Sequence, residues 1–181
     1  MKVIPSKIDD VLIIEPTIHS DKRGYFFESF NQKILNKFLN KPFTPIQDNQ
    51  SYSKKGTLRG IHYQKNPMAQ AKLVRVVEGE IFDVAIDLRK KSPTFCKWVG
   101  KYLSSENKNQ LFIPEGFGHA FLVISEFASV LYKVNNFYSK ENEMTIRYND
   151  PKFSIRWPLD NFNLSKKDSN ADFIDDSSNL F

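Results

Sequence analysis

Cysteine is almost missing from the sequence, with Cys96 the single example among 181 residues. One thiol cannot close a disulfide within the chain, and it cannot form a cysteine cluster around a metal ion. The sequence therefore excludes a disulfide framework and a cysteine-based metal site.

Long apolar runs are missing as well. A helix that spans a membrane needs about 18 or more consecutive apolar residues, and no stretch of the chain provides them. Residues 1–5 also lack the apolar segment of a secretion signal. We therefore expect a soluble cytoplasmic protein that has no membrane partner.

Negative charge is in the minority, because 26 Lys and Arg residues outnumber 21 Asp and Glu residues and give a net charge of +5. The basic residues are scattered rather than gathered into one arm, which argues against a nucleic-acid partner. A basic chain suits an anionic ligand such as a phosphate or a sugar nucleotide, although a basic surface without a ligand gives the same charge. The length and the 40% hydrophobic content favour one folded domain over residues 1–181.

The apolar residues form short runs separated by turn residues. This pattern predicts an all-β barrel or sandwich with small helical decorations. Strands are predicted at residues 11–16, 25–30, 58–64, 72–77, 81–88, 98–103, 110–113, 120–124 and 129–134. The segment Glu78-Gly79-Glu80 predicts a hairpin between two of them. Helical spacing predicts one helix near residues 34–39, and residues 165–176 are typical of a surface helix or an extended tail.

The ionisable or polar side chains of the apolar, strand-like segments include a short list of four candidates for chemistry: His62, Lys72, His119 and Tyr132. A histidine in such a segment is often a core residue with satisfied hydrogen bonds, and a lysine that begins a strand often extends to water. The third histidine, His19, lies in a polar loop and is expected to face solvent. Spacing alone does not decide between structural and functional roles for the four.

Residues 114–119 resemble the second motif of the cupin superfamily. A metal-binding cupin also needs a His-x-His pair in its first motif, but the corresponding strand here contains His62-Tyr63-Gln64. A single imidazole holds a transition metal poorly. The sequence therefore predicts a cupin barrel that lacks its metal site, and it argues against a metal-dependent oxygenase.

Over nearly its full length the sequence is similar to the dTDP-4-dehydrorhamnose 3,5-epimerases. The resemblance rests on motifs that follow one another in family order: Asp21-Lys22-Arg23-Gly24, Gln47-Asp48-Asn49, residues 56–64, residues 72–76, residues 114–121, Leu131-Tyr132-Lys133, Ile155-Arg156-Trp157-Pro158 and residues 164–168. Gly118 and Ala120 stand where the family pattern has Ala and Gly, and Tyr148-Asn149 replaces Trp-Asp. These conservative changes leave room for a different sugar or nucleotide.

The resemblance implies a cupin-like jelly-roll homodimer that inverts C3 and C5 of dTDP-4-dehydro-6-deoxy-D-glucose and so makes a precursor of L-rhamnose. It implies no metal and no other cofactor, in agreement with the absence of a GxGxxG fingerprint. His62 would be the general base, Asp168 the carboxylate that orients it, Lys72 the cation at the C4 oxygen and Tyr132 the acid. The nucleotide sugar would be bound by Arg23, Phe26, Glu28, Gln47, Asn49, Arg59, His119, Tyr138, Glu143 and Lys167.

The implied roles of Arg59 and His62 conflict with regular strand geometry. Side chains alternate across a strand, so Leu58, Gly60 and His62 are predicted on one face and Arg59 on the other. The resemblance nevertheless places Arg59 and His62 at the same ligand. A bulge, the reach of the arginine side chain or a site shared between subunits would each resolve the conflict.

Two other functions suit the same residues. A relative that inverts only C3 needs the same base and acid, so the sequence does not separate it from a 3,5-epimerase. A sugar-nucleotide binding protein without catalysis is the second alternative. The presence of His62, Lys72, Tyr132 and Asp168 argues against it.

Overall fold

Strands make up most of the regular secondary structure. The structure, a computed structural model, describes residues 1–175, 178 and 180–181. Its strands in chain order are β1 Lys2–Pro5, β2 Leu12–Glu15, β3 His19–Asp21, β4 Gly24–Phe26, β5 Gln47–Lys54, β6 Leu58–Gln64, β7 Lys72–Glu78, β8 Glu80–Asp87, β9 Trp98–Ser104, β10 Gln110–Ile113, β11 Phe117–Val123, β12 Phe127–Val134 and β13 Glu143–Thr145. The short helices are α1 Gln32–Leu35 and α2 Lys166–Ser169, with a 3₁₀ turn at Asn36–Phe38. No helix within these ranges is long and apolar enough to cross a membrane.

Two antiparallel sheets form the body of the molecule. The first sheet has the strand order β1-β2-β10-β7-β12-β5, and the second has the order β13-β6-β11-β8-β9. Strands β3 and β4 pair separately as a hairpin. Most neighbouring strands in the two sheets are far apart in the sequence, as in a jelly roll. The predicted cupin-like jelly-roll barrel is confirmed.

The main hydrophobic core lies between the two sheets. Val74 and Val130 of the first sheet and Ala85 and Phe121 of the second belong to one buried cluster. Members of this cluster recur at every second position within a strand, as Val74 and Val76 do in β7. This period directs side chains to one face of a sheet. The interior of the barrel is therefore apolar, and an ionisable group that points into it is exceptional.

Both sheets are also covered on their outer faces. The segment after β13 covers the second sheet, where Leu122 packs with Ile146 and Phe153. The region of α1 covers the first sheet through Leu35 and Phe43. The first of these layers brings α2 against β6.

The hairpin predicted at Glu78-Gly79-Glu80 is wrong. Strand β7 pairs with β10 and β12, whereas β8 pairs with β9 and β11. Gly79 has φ of 78°, and a Cβ at this position would collide with the carbonyl oxygen of Phe127. The glycine turns the chain from one sheet to the other instead of folding it back on itself.

Several other predictions need a change of boundary. The strand predicted at residues 25–30 ends at Phe26, and the helix predicted near residues 34–39 is a single turn followed by the 3₁₀ turn. The predicted tail contains α2, which is capped by Ser165. Asp176, the last residue of that predicted tail, lies outside the described residues.

Candidate active site

A cleft of about 510 Å³ opens at one end of the barrel. Strands β5, β7 and β12 of the first sheet and β6 and β13 of the second contribute to its walls. Its lining is mostly polar: Gln47, Asn49, His62, Tyr63, Gln64, Gln70, Lys72, Tyr132, Tyr138 and Glu143. Three of the four side chains predicted to carry the chemistry therefore share one cleft.

A bulge in β6 puts Arg59 and His62 on the same face. His62 pairs with His119 and Arg59 with Phe121, so two residues of β6 oppose a single residue of β11 between these pairs. Phe121 belongs to the core between the sheets, whereas Leu58 belongs to the outer layer. The bulge thus resolves the conflict between the implied roles, and the predicted shared face of Leu58 and His62 is wrong.

Gly60 permits this bulge. Its φ is 126°, and an added Cβ would lie 2.6 Å from Ala120 Cα and 2.7 Å from the carbonyl oxygen of His119. Both distances are too short for a real side chain, and L-residues rarely adopt this φ. Glycine is therefore required at the position that sets the register of the His62 strand.

His62 and Asp168 form a dyad at the cleft wall. His62 Nε2 donates to Asp168 Oδ1 at 2.5 Å, and Ser165 Oγ donates to the other carboxylate oxygen at 2.8 Å. Burial raises the pKa of Asp168, but the hydrogen bonds from His62 and Ser165 and the charge of Lys167 outweigh it and lower the pKa. A charged carboxylate on Nε2 leaves Nδ1 as the basic nitrogen of the ring.

Lys72 and Tyr132 form the opposite wall. The Lys72 ammonium lies 6.0 Å from the centre of the Tyr132 ring. Burial lowers the pKa of Lys72 to about 8, against the opposing charges of Asp83 and Glu143. Burial also raises the pKa of Tyr132, although the nearby Arg59 acts in the other direction. At neutral pH the wall therefore offers a cation and a protonated phenol.

His119 lies behind the cleft rather than in its lining. It is 5% exposed, it pairs across the strands with His62, and its Nε2 donates to Asp83 Oδ1 at 2.7 Å. Burial lowers the pKa of His119, although Asp83 opposes the shift. The predicted ligand contact of His119 would therefore need a ligand that reaches deep into the barrel.

Several predicted binding residues meet at the mouth of the cleft. Lys167 Nζ and Glu143 Oε2 form an ion pair at 2.6 Å, and the Tyr138 hydroxyl donates to the same oxygen at 3.1 Å. Gln47 accepts from the Tyr138 backbone N–H at 3.1 Å and donates to Asn49 at 2.8 Å. Helix α2 thus contributes Lys167 to the mouth and Asp168 to the dyad.

Gln64 is a residue that the sequence analysis missed as an organiser of the site. Its amide donates to the carbonyl oxygens of Met68 at 2.6 Å and Phe137 at 3.1 Å, and it accepts from the Ser139 N–H at 2.7 Å. The position where a metal cupin has its second histidine therefore joins the residues on both sides of Tyr138 to the loop that contains Met68. The missing His-x-His pattern was the signal that marked this position.

Three predicted binding residues lie outside the cleft of their own chain. Arg23 and Phe26 line a separate hollow on the β3–β4 hairpin, where Arg23 pairs with Asp21 at 2.6 Å and Phe26 is 70% exposed. Glu28 accepts a hydrogen bond from Asn31 at 3.1 Å. Arg59, by contrast, lies beside the site and donates to Ser53 at 3.1 Å.

The arrangement is suited to moving protons. An imidazole bonded to a carboxylate, an ammonium group and a phenol surround one cleft, and no group of three His, Cys, Asp or Glu residues within the described ranges is placed to hold a metal ion. The family model of dTDP-4-dehydrorhamnose 3,5-epimerase matches residues 5–176. The chain belongs to this family. It is 55% identical to the dTDP-4-dehydrorhamnose 3,5-epimerase of Shigella flexneri over 176 residues, and this match covers 97% of both sequences.

Solved structures of the epimerase family agree in fold. The dTDP-6-deoxy-D-glucose-3,5-epimerase of Legionella pneumophila, in complex with dTDP-4-keto-L-rhamnose, superposes with a TM-score of 0.91 at 48% identity and covers 95% of this chain and 92% of that one. A 3'-monoepimerase of Streptomyces bikiniensis in complex with dTDP-quinovose has a TM-score of 0.88 at 35% identity, with 93% and 86% covered. The fold is thus shared with a 3,5-epimerase and with a 3'-monoepimerase.

Proposed function

We propose that this member of the family inverts C3 and C5 of dTDP-4-dehydro-6-deoxy-D-glucose to give dTDP-4-dehydro-L-rhamnose, a precursor of dTDP-L-rhamnose. The observation that carries the proposal is the cleft in which the His62–Asp168 dyad faces Lys72 and Tyr132. The 55% identity to a curated 3,5-epimerase supports the choice of reaction.

Proton transfer next to a ketone explains why these groups suit the reaction. The 4-ketone acidifies the hydrogens at C3 and C5, and removal of either gives an enolate. The free Nδ1 of His62 takes the proton, because Asp168 occupies Nε2 and stabilises the imidazolium that forms. Return of a proton to the other face of the sugar completes the inversion.

Lys72 and Tyr132 divide the remaining work. The ammonium of Lys72 stabilises the negative charge that develops on the C4 oxygen, a contribution that is usually among the largest in such reactions. Its charge is present below its pKa of about 8. Tyr132 keeps its proton because burial raises its pKa, and it supplies that proton to the enolate.

The remaining polar groups bind the nucleotide part of the substrate. Arg59 suits the diphosphate, because a guanidinium group pairs with two phosphate oxygens at once. Tyr138 is 55% exposed at the mouth and suits stacking on the base. Gln47 and Asn49 supply amide groups beside it, and His119, Glu143 and Lys167 complete the contacts that we assign to the dTDP-sugar.

The working assembly that we propose is a homodimer of a single epimerase domain, residues 1–181, in the cytoplasm. Arg23 and Phe26 are expected at the nucleotide, yet they lie on an exposed hairpin outside their own cleft. A second copy whose cleft receives this hairpin would account for both observations. The edge position of β5, with Tyr52 59% exposed, supports a subunit interface along this strand.

Proton NMR of the sugar in D₂O tests the proposed reaction. The enzyme is incubated with dTDP-4-dehydro-6-deoxy-D-glucose, and we expect deuterium at both C3 and C5 of an inverted product. Deuterium at C3 alone would identify a C3 epimerase, which is the first alternative. A protein that binds the sugar nucleotide and exchanges neither position would be a binding protein, and the proposal would be wrong.

A further inference from the structure

We propose that Asp83 is a positioning residue for the reaction, and that it acts as the buried negative charge that keeps Lys72 protonated where the enolate forms. The proposal rests on the epimerase function proposed above and adds a residue behind the cleft, out of reach of the substrate. Asp83 acts on the substrate through Lys72.

Lys72 and Asp83 point into one apolar interior from opposite sheets. Lys72 is 9% exposed on β7, and the next residue on its face, Val74, belongs to the central core. Asp83 is fully buried on β8, and the next residue on its face, Ala85, belongs to the same core. A buried ion in such surroundings is expensive unless an opposite charge accompanies it.

Only half of the Asp83 carboxylate is satisfied by hydrogen bonds. Oδ1 accepts from His119 Nε2 at 2.7 Å, whereas Oδ2 is buried and has no hydrogen-bond partner within the described part of the chain. Burial lowers the pKa of His119, so its imidazole is neutral at pH 7 and does not balance the carboxylate. The negative charge of Asp83 is therefore left for Lys72.

The carboxylate of Glu143, which also lies near Lys72, already has ion-pair and hydrogen-bond partners. Glu143 forms an ion pair with Lys167 at 2.6 Å and accepts from Tyr138 at 3.1 Å. Asp83 is thus the carboxylate whose charge is available to the ammonium. This difference makes Asp83, rather than Glu143, the group that decides the protonation of Lys72.

The sign of the expected pH effect follows from the groups that surround Lys72. They are Asp83 on β8, Glu143 on β13, His119 on β11, His62 on β6 and Tyr132 on β12. Burial lowers the pKa of Lys72 to about 8, and Asp83 is the first of the charges that oppose this shift. Loss of the carboxylate would lower the pKa further, and the ammonium would lose its proton near neutral pH.

The test replaces the carboxylate by an amide of the same shape, in Asp83→Asn. The pKa of Lys72 is measured directly on [¹³C]-lysine-labelled protein from the pH dependence of the Lys72 Cε signal, assigned through Lys72→Arg. We expect the pKa to fall by roughly 1 unit, the lower end of the usual effect of a nearby opposite charge. The basic limb of the kcat profile for the 4-keto sugar nucleotide should move to lower pH by the same amount.

Asp87→Asn is the matched control. Asp87 is a fully buried carboxylate on the same strand, but it accepts hydrogen bonds from Arg89, Ser92 and Thr94 instead of facing the cleft. The control should lower stability without moving the Lys72 pKa. An unchanged Lys72 pKa in Asp83→Asn would overturn the proposal, and so would a lowered pKa that leaves the kcat profile in place.

A thermodynamic cycle keeps the proposal testable if Asp83→Asn folds poorly. Removal of one of two opposite charges that are buried in the same interior is destabilising, because the other charge is left without compensation. We therefore expect Asp83→Asn to reduce the urea midpoint less in a Lys72→Met background than in the wild type. Equal reductions in both backgrounds would show that the two groups are independent. Failure of the wild-type enzyme to exchange deuterium would instead reject the proposed function, and the Lys72 pKa would still report on the influence of Asp83.

Discussion

At the scale of single residues, burial has opposite consequences for the two side chains on one wall of the cleft. It favours the neutral form of both Tyr132 and Lys72, raising the pKa of the first and lowering that of the second. The neutral form is the useful one for a proton donor, whereas an electrostatic stabiliser needs the charged form. Tyr132 therefore benefits from the apolar interior, and Lys72 depends on nearby carboxylates.

Tyr132→Phe should separate deuterium exchange from inversion. Deprotonation remains possible without the hydroxyl, because His62 and Lys72 are intact, and the base can return a solvent deuteron to the face it came from. We expect deuterium to enter the substrate in D₂O while the inverted product falls by about 10²–10⁴-fold. Proton NMR measures both rates in one sample. Equal losses of the two rates, or no loss, would remove Tyr132 from the role of acid.

His62→Ala should stop both exchange and inversion, because one imidazole serves both carbons. Asp168→Asn should cost less, since the imidazole remains and only its orientation and charge stabilisation are impaired. Initial rates of the two variants at the same substrate concentration provide the comparison, and circular dichroism checks the fold. Near-normal rates in His62→Ala would assign the base to another group, with His119 the first to examine.

At the scale of secondary structure, the bulge in β6 sets the positions of Arg59 and His62. Gly60→Ala should straighten or displace this strand, because the new Cβ would lie against Ala120. The matched control is Gly24→Ala, where φ is 130° and no atom lies within 4 Å of the added Cβ. Urea unfolding should show a loss of about 1–3 kcal/mol from backbone strain in both variants, and a further loss of stability only in Gly60→Ala. Equal effects would mean that contact with β11 does not set the register.

The strands with apolar runs were predictable from the sequence, but the way they connect was not. β6 was predicted with its observed bounds, because Leu58–Gln64 combines apolar residues with flanking turns. β5 was missed, since Gln47–Lys54 is polar and only its pairing with β12 defines it as a strand. The glycine between β7 and β8 has the same sequence signal in a hairpin and in a crossing between sheets. Long-range pairing decides between them, and a local pattern does not contain it.

The sequence predicted the candidate site to a similar extent. The short list of His62, Lys72, His119 and Tyr132 came from polar residues in apolar strands, and the structure brings them into one region. Alternation failed across the bulge, because one extra residue reverses the face of every residue that follows. The pairing of His119 with Asp83 was also missed, since the two residues are 36 positions apart.

At the scale of the whole molecule, the proposed exchange of hairpins predicts complementation between inactive chains. Chains with His62→Ala are refolded together with chains in which both Arg23 and Phe26 are replaced by Ala. A mixed dimer would then contain one cleft without either defect, and activity should return above that of each parent. The control mixes His62→Ala with Lys72→Met, whose defects lie in the same cleft of each chain and should not complement. Sedimentation measures the assembly, and a monomer at all concentrations would contradict the proposal.

The partners of the dyad come from distant parts of the sequence. His62 and Asp168 are 106 positions apart, and helix α2 reaches β6 as part of the last layer that covers the second sheet. Closing so long a loop is slow compared with forming local contacts. Its entropic cost is offset only when the outer layer packs. A folding chain can therefore assemble both sheets before it possesses an oriented base. The active site is therefore completed last, and we expect partly folded chains to have no catalytic activity.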